Sequence, residues 1–337
     1  MTTPDPAPVI DLIEAFRRSK TMFAAVELGV FDQLEHAPSD TAALAAKIGA
    51  DAGALERLLD ACVGLGFLYK HDGRYANTAV ASVYLTRTSD RALTGYILYS
   101  NDVLFRMWSN LEDAVREGSH RWKQTFGLEG AIFDHFFKTD EATRAFLMGM
   151  HSFGLISSPA VAAAFDLSGF RRLVDLGGAT GHLAIAACER YPALRAAVFD
   201  LPRVLEVARS EMARSPVAAR IELIAGDFFT GALPEADLFA VGRILHDWSE
   251  EKIHALLAKI HARLPQGGGL LIAEKLLEED KSGPTWAHMQ SLNMLVCTEG
   301  RERTLGEYRA LLERAGFTQV EGRRTGAPLD AMLALKT

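Results

Sequence analysis

The sequence predicts an α/β protein: a mostly parallel sheet with crossover helices and an antiparallel edge hairpin, preceded by a mostly helical domain of winged-helix type. Three observations predict it. From about residue 170, RRLVDLGG, RAAVFD, RIELIAGD, ADLFAVGR and GLLIAEK are short apolar runs that alternate with helical stretches. Parallel strands with crossover helices require that alternation. The runs GFTQVEGRR and DAMLALK are joined only by TGAPL, which leaves no room for a helix, so these two strands predict an antiparallel hairpin at the sheet edge. Residues 9 to about 100 give three helical segments and then YKHDGRYANT, where Asp72-Gly73 is a two-residue hairpin signal.

In chain order, TMFAAVELGVFDQL carries apolar residues at helical spacing and ends near Gly29 and Asp32. DTAALAAKIGA opens on the N-cap candidate Asp40 and stops at Gly49. DAGALERLLDACVGLGFL is the third helix and leads into the wing. Residues 102–165 read as helical throughout, most clearly in LFRMWSNLEDAVREG and TRAFLMGMHSFGLISSPAVAAAF. The expected division is therefore a winged-helix module over 1–100, a helical connector over 101–168 and an α/β domain over 169–337.

Composition narrows the function. Apolar content of 49% and charged content of 23% are those of an ordinary globular protein, and a net charge of −7 argues against a nucleic-acid or anionic-lipid surface. The winged-helix pattern raises DNA binding, but its third helix offers Arg57 against Glu56 and Asp60, and residues 1–100 hold nine Lys/Arg against twelve Asp/Glu. A recognition helix needs a basic footprint, so this module is expected to serve packing or dimerisation. Apolar helices such as TMFAAVELGVF, which one small module can hardly bury, predict a homodimer built mainly from the N-terminal half. Cys62, Cys188 and Cys297 lack disulfide or metal spacing and suit a reducing cytoplasm, and the N-terminus has no basic region of the secretory kind. No His–Cys pairing has zinc spacing, and His254 and His261, seven apart on one helix, read as solvated.

The ends of successive strands carry the chemistry. The first ends in VDLGGATGHLAIAA; a G-x-G-x-x-G pyrophosphate cradle would need glycines where Ala179 and His182 stand. An acid before the glycines, here Asp175, with Gly177, Gly178 and Gly181 behind it, suits a ligand with an ammonium and no phosphate. Asp200, followed by Leu201, ends the second strand and can accept ribose hydroxyls; Gly226-Asp227-Phe228 ends the third with an acid and an aromatic for an adenine edge and face. Open α/β sheets bind ligands on this side.

Taken in order, the winged-helix front, VDLGGATG, FDLP, GDFF, ILHDW, IAEK and GRERT resemble the S-adenosylmethionine-dependent small-molecule O-methyltransferases of plant and bacterial type. SKTMFAAVELGVFD, DAVREG, GDFF, RILHDW and SLNMLVCTEGRERT are similar to the acetylserotonin (hydroxyindole) O-methyltransferase branch. The resemblance implies a Rossmann-like methyltransferase sheet and S-adenosylmethionine held by Gly177, Gly178, Gly181, Asp200, Asp227, Phe228 and Arg243. It implies His246 as general base, Glu274 and Glu302 as flanking carboxylates and Asp247 as an assistant. Phe146, Met150, Asn293, Met294 and Cys297 would line the acceptor pocket. Three positions depart from the branch. Cys297 stands where it carries glutamine, Gly154 where it places a tryptophan, and Ala179 where a third glycine is usual.

The chemistry agrees with the resemblance. His246 follows the fourth strand and Glu274 ends the fifth, so a parallel sheet sets them side by side. A phenol or indole hydroxyl has a pKa near 10 and is a poor nucleophile while neutral, so a base within reach must take its proton. Two rivals remain at this level: a winged-helix regulator that binds a small ligand, and methylation of nitrogen or other chemistry on the same scaffold. The acidic third helix opposes the first. His246 opposes nitrogen methylation, because an amine seldom needs a base.

Overall fold

The computed structural model describes residues 3–130, 133 and 136–337. The chain divides into two compact units, one running to Val103 and one from Leu104.

The first unit holds α1 (Ala7–Glu27), α2 (Val30–Gln33), β1 (Ser39–Asp40), α3 (Thr41–Ile48), α4 (Ala52–Gly64), β2 (Leu68–His71), β3 (Arg74–Asn77), α5 (Ala79–Tyr84) and α6 (Thr94–Tyr99). Asp40 caps α3 by accepting the Ala43 N–H, Asp51 caps α4 in the same way, and Gly49 closes α3 in the left-handed conformation. Asp72 and Gly73 both have positive φ, 47° and 73°, as a tight hairpin turn demands, and β2 pairs antiparallel with β3 through Lys70↔Tyr75. The core gathers Ala25, Val26, Val30, Phe31, Leu44, Leu55, Leu59 and Tyr75. The second half of α1, within TMFAAVELGVF, thus packs into the unit's own interior. Apart from Leu28 at the helix end, the apolar side chains of α1 left outside are earlier: Val9, Ile10, Leu12, Ile13 and Phe16 are exposed, Leu12 by 74%.

The second unit opens with α7 (Phe105–Trp108), α8 (Leu111–Glu117), α9 (Trp122–Phe126) and α10 (Asp140–Ala163). The segment expected to be helical throughout is interrupted. Gly118 and Gly127 take left-handed φ values of 63° and 68° and end α8 and α9, because glycine adopts that conformation without steric cost. α10 is long and apolar enough to cross a membrane by length and composition alone. It carries buried Ser152, Ser157 and Ser158 and packs against the next helix, as a core helix does.

Next come β4 (Arg172–Leu176), α11 (His182–Arg190), β5 (Arg195–Asp200), α12 (Pro202–Met212), β6 (Ile221–Ala225), β7 (Leu238–Gly242), α13 (Glu250–Arg263), β8 (Gly269–Glu274), β9 (Leu276–Leu277), α14 (Thr285–Cys297), β10 (Arg303–Thr304), α15 (Leu305–Arg314), β11 (Thr318–Arg323) and β12 (Asp330–Leu335). The large sheet has the order β11-β12-β8-β7-β4-β5-β6. β4 to β8 run parallel, while β12 lies antiparallel on β8 with Ala331 opposite Ala273, and β11 closes the edge antiparallel to β12. Alternate residues feed two cores. Leu173, Val198, Ala240 and Leu271 face α10, α11 and α12, whereas Val174, Phe199, Val241 and Ile272 face α13 and α15. A side-chain period of two allows a strand to bury both faces. His254 and His261 are corrected here: both are half-buried, and His261 stands edge-on to Phe317 at 5.1 Å. Their helix, α13, covers the sheet, so its flanks are not fully solvated.

Candidate active site

Because β4 to β8 are parallel, their carboxyl ends share one rim, and the candidate residues collect there. β4 ends at Asp175 and Leu176, and the chain turns at Gly177 with φ +66°. A Cβ at Gly177 would lie 2.6 Å from the Ile244 side chain, and one at Gly178 would lie 2.7 Å from the Asp175 carboxyl, so neither position admits a side chain without displacement. Asp175 is 2% exposed and its Oδ2 has no hydrogen-bond partner. Burial, and then the neighbouring Asp200, push its carboxyl up to about 8.

Asp200 ends β5 and is tied on both sides. Its Oδ2 accepts the Ala179 N–H at 2.9 Å and its Oδ1 the Leu201 N–H at 2.7 Å. Each oxygen keeps a further acceptor site. Burial raises its carboxyl to about 6 against the pull of these two amides. Ala179 pays for its N–H placement with a left-handed φ of 51°. Gly181 caps α11. Gly226 follows β6, with the Phe199 ring 2.3 Å from where its Cβ would be. Asp227 is engaged locally: Oδ1 accepts from the Phe229 N–H and Oδ2 from the Thr230 hydroxyl. Phe228 packs on Phe229 at 4.8 Å and borders Gly177.

Arg243 stands just beyond β7 with φ 56°, a conformation uncommon outside glycine. Its guanidinium lies 4.7 Å over the Phe153 ring, which stacks on Trp286 at 6.1 Å. The Nε and Nη1 of Arg243 are buried without a partner. The rim therefore holds buried N–H donors lacking an acceptor and a buried carboxyl oxygen lacking a donor. A ligand bearing both a carboxylate and an ammonium satisfies both.

His246 lies beside this rim in the single turn Leu245–Asp247 that follows β7. Its Nδ1 is 2.7 Å from Glu302 Oε1 and 3.4 Å from Glu274 Oε2, and its Nε2 is 3.7 Å from Asp247 Oδ1. His246, Glu274 and Glu302 are all buried. Glu274 Oε1 also accepts the N–H groups of Ile244, Leu245 and His246 at 3.1, 2.9 and 3.4 Å. Burial alone would hold the imidazole neutral, but Glu274, Glu302 and Asp247 outweigh it and raise His246 to about 9. Asp247 is itself raised to about 6, by burial. With Nδ1–H donated to Glu302, Nε2 is the ring nitrogen left for proton transfer. Behind the pair, buried Arg303 reaches the Leu245 and Arg301 carbonyls.

Among the described residues, His246, Glu274 and Glu302 also have ligand-type atoms within 4.8 Å of one another. Residues so far apart in the chain give no metal signal by spacing. The 2.7 Å Nδ1–Oε1 contact is a charge-assisted hydrogen bond in length.

The acceptor-pocket candidates lie on two helices. Phe146 and Met150 are half-buried one turn apart on α10, and Phe146 meets Phe136 at 4.4 Å. Asn293, Met294 and Cys297 are buried on α14. α14 is held from the helices before it. Trp108 Nε1 donates to Asn293 Oδ1 at 2.9 Å, the Arg121 N–H to the Val296 carbonyl, and Trp122 Nε1 to the Cys297 carbonyl at 2.7 Å. Sequence reading passed over Trp108, Trp122, Phe153, His182 and Trp286. A lone aromatic in a helical stretch carries no signal of what it packs against.

A family model described as an O-methyltransferase domain matches residues 108–318, and one described as an O-methyltransferase dimerisation domain matches residues 10–87. Acetylserotonin O-methyltransferase of Gallus gallus is 41% identical over 338 residues, covering 98% of this chain and 97% of that protein. A Homo sapiens protein named probable bifunctional dTTP/UTP pyrophosphatase/methyltransferase is 42% identical over 336 residues; the match takes in 99% of this chain and about half, 54%, of that relative's length. The crystal structure of human N-acetylserotonin methyltransferase in complex with SAM superimposes with a TM-score of 0.94 at 39% identity, covering 100% of this chain and 99% of that one. The chain belongs to the family of S-adenosylmethionine-dependent O-methyltransferases.

Proposed function

We propose that the protein methylates a hydroxyl of a small aromatic acceptor of phenol or hydroxyindole type, with His246 as general base. When bound, S-adenosylmethionine supplies an electrophilic methyl on a sulfonium. Arg243 and Asp175 would hold its amino-acid end, Asp200 its ribose, and Asp227 with Phe228 its adenine. Gly177, Gly178 and Gly181 leave room for it, with Leu201 and Gly226 shaping the loops on either side. Relatives named for acetylserotonin methylation support the acceptor class. Phe146, Met150, Asn293, Met294 and Cys297 would form the acceptor walls.

The observation that carries the reading is the Nδ1 of His246 clasped at 2.7 Å by Glu302. That bond turns Nε2 toward the acceptor and stabilises the imidazolium formed when the hydroxyl proton arrives. Asp247, 3.7 Å from Nε2, helps hold that cation. His246→Gln should lower kcat about 10²–10⁴-fold on a hydroxylated indole or phenol while leaving S-adenosylhomocysteine affinity unchanged. Retention of most activity at neutral pH would remove His246 from the chemistry.

A homodimer belongs to the same reading. The segment matching a dimerisation domain includes most of the exposed apolar stretch of α1, Val9 to Phe16, which a second copy would cover.

A further inference from the structure

α10 passes over the donor loop without a side chain at Gly154, and the gap is filled. A Cβ there would lie 2.4–2.5 Å from Cδ2, Cγ and Nδ1 of the His182 ring, far inside contact distance. His182 is the first residue of α11, directly after Gly181. Its Nδ1 is 2.8 Å from the Ser158 hydroxyl, one turn further along α10. One turn earlier, His151 Nδ1 meets the Thr180 hydroxyl at 2.8 Å. Three successive turns of α10 therefore seat the loop that runs from Gly177 to His182.

The protonation of His182 follows from this setting. Burial first, then His151 and Arg243, depress its pKa to about 3, so the ring is neutral. The Ser158 hydroxyl makes no other hydrogen bond among the described residues; where it donates its one hydrogen to Nδ1, the neutral ring carries its own proton on Nε2, as a donor. Arg243, whose charge His182 feels, has two buried N–H groups without an acceptor.

We propose that His182 is a donor-binding residue, its imidazole seated in the space at Gly154 and anchored by Ser158 so that Nε2–H joins Arg243 in binding the carboxylate end of the methyl donor. The proposal rests on the donor site assigned above. Gly154 contributes by having no side chain: any substituent evicts the ring from its seat.

Calorimetry with S-adenosylhomocysteine on the full-length protein tests it. His182→Ala should weaken binding roughly 3- to 10-fold, the loss of one neutral hydrogen bond. Gly154→Ala should do the same, and the double variant should be no weaker than either single one, since both remove one interaction. Nitrogen-15 NMR should show His182 as the Nε2–H tautomer, with Nε2 shifting on ligand addition. Asp200→Ala is the control. If it weakens binding tenfold while His182→Ala stays within twofold of wild type, the role of His182 is overturned and the donor site stands. If Asp200→Ala changes nothing, the donor site itself fails. Additive losses in the double variant, or an Nε2 resonance unmoved at saturating ligand, also overturn the proposal. Should Gly154→Ala fail to fold, His182→Ala and the NMR decide alone.

Discussion

Glu302→Gln offers the sharpest test of the base. The substitution keeps an oxygen that can accept the His246 Nδ1–H, so the tautomer survives, but it deletes the charge 2.7 Å from the ring. An opposite charge at such range shifts a pKa by about 1–3 units. His246 stands at about 9 with Glu274, Glu302 and Asp247 around it. The sign is fixed: a base works only when deprotonated, so the wild-type rate should climb with pH and level off above the imidazole midpoint. In the variant, the midpoint should fall by about 1–3 units. The plateau should fall as well, because the imidazolium formed in the transition state has lost one of its counter-charges. Initial rates of labelled-methyl transfer across pH 6–10 would measure both. The cationic donor lowers the midpoint in both proteins, so the difference between them is the quantity to read. An unmoved or raised midpoint would refute the electrostatic reasoning.

Other outcomes follow from the same geometry. Asp200→Ala should weaken S-adenosylhomocysteine binding at least tenfold by calorimetry, since hydrogen bonds to a charged group are worth about 1.5–3 kcal/mol. Ala179→Gly should raise stability in urea unfolding by about 0.5–1 kcal/mol: it relieves the left-handed φ of 51°, partly offset by glycine's greater freedom when unfolded. An unchanged midpoint would mean that the loop carries no strain there. Light scattering should give twice the chain mass for wild type and the single-chain mass for Ile13→Glu, which puts charge on the exposed face of α1; a wild-type monomer would refute the dimer.

The rim was legible in the sequence because strand ends in a parallel sheet are equivalent places. Once the apolar runs were read as parallel, Asp175, Asp200, Asp227, His246 and Glu274 had to lie together. The edge hairpin was legible for a similar reason, since five residues between strands exclude a crossover helix. What lay outside that logic came from helices. Nothing in the spacing of Phe153 and Trp286 says that α10 sets Phe153 under Arg243 or that α14 stacks Trp286 on Phe153. Gly154 read as a departure, standing where the branch places a tryptophan, and its spacing gave no sign of the His182 ring that fills the space of its missing side chain. The break of the 102–165 helical stretch was available in Gly118 and Gly127, but apolar periodicity on both sides masked it. Apolarity also misplaced the face of α1 that needs cover, because TMFAAVELGVF, Leu28 apart, packs inward and the long exposed run from Val9 to Phe16 precedes it.

The tethering of α14 bears on how such an enzyme can diverge. Two of its three tethers, from Arg121 and Trp122, grip main-chain carbonyls at Val296 and Cys297. A carbonyl is present whatever side chain the residue bears, so exchange at 294 or 297 leaves these bonds in place. Asn293 is different, because Trp108 holds its side chain. The helix thus behaves as a fixed rail with interchangeable fittings. Selection can rewrite the shape and polarity of the candidate acceptor-pocket positions Met294 and Cys297 without moving the helix or touching the proposed base His246. A lineage can then change the molecule it methylates faster than it changes the way it methylates.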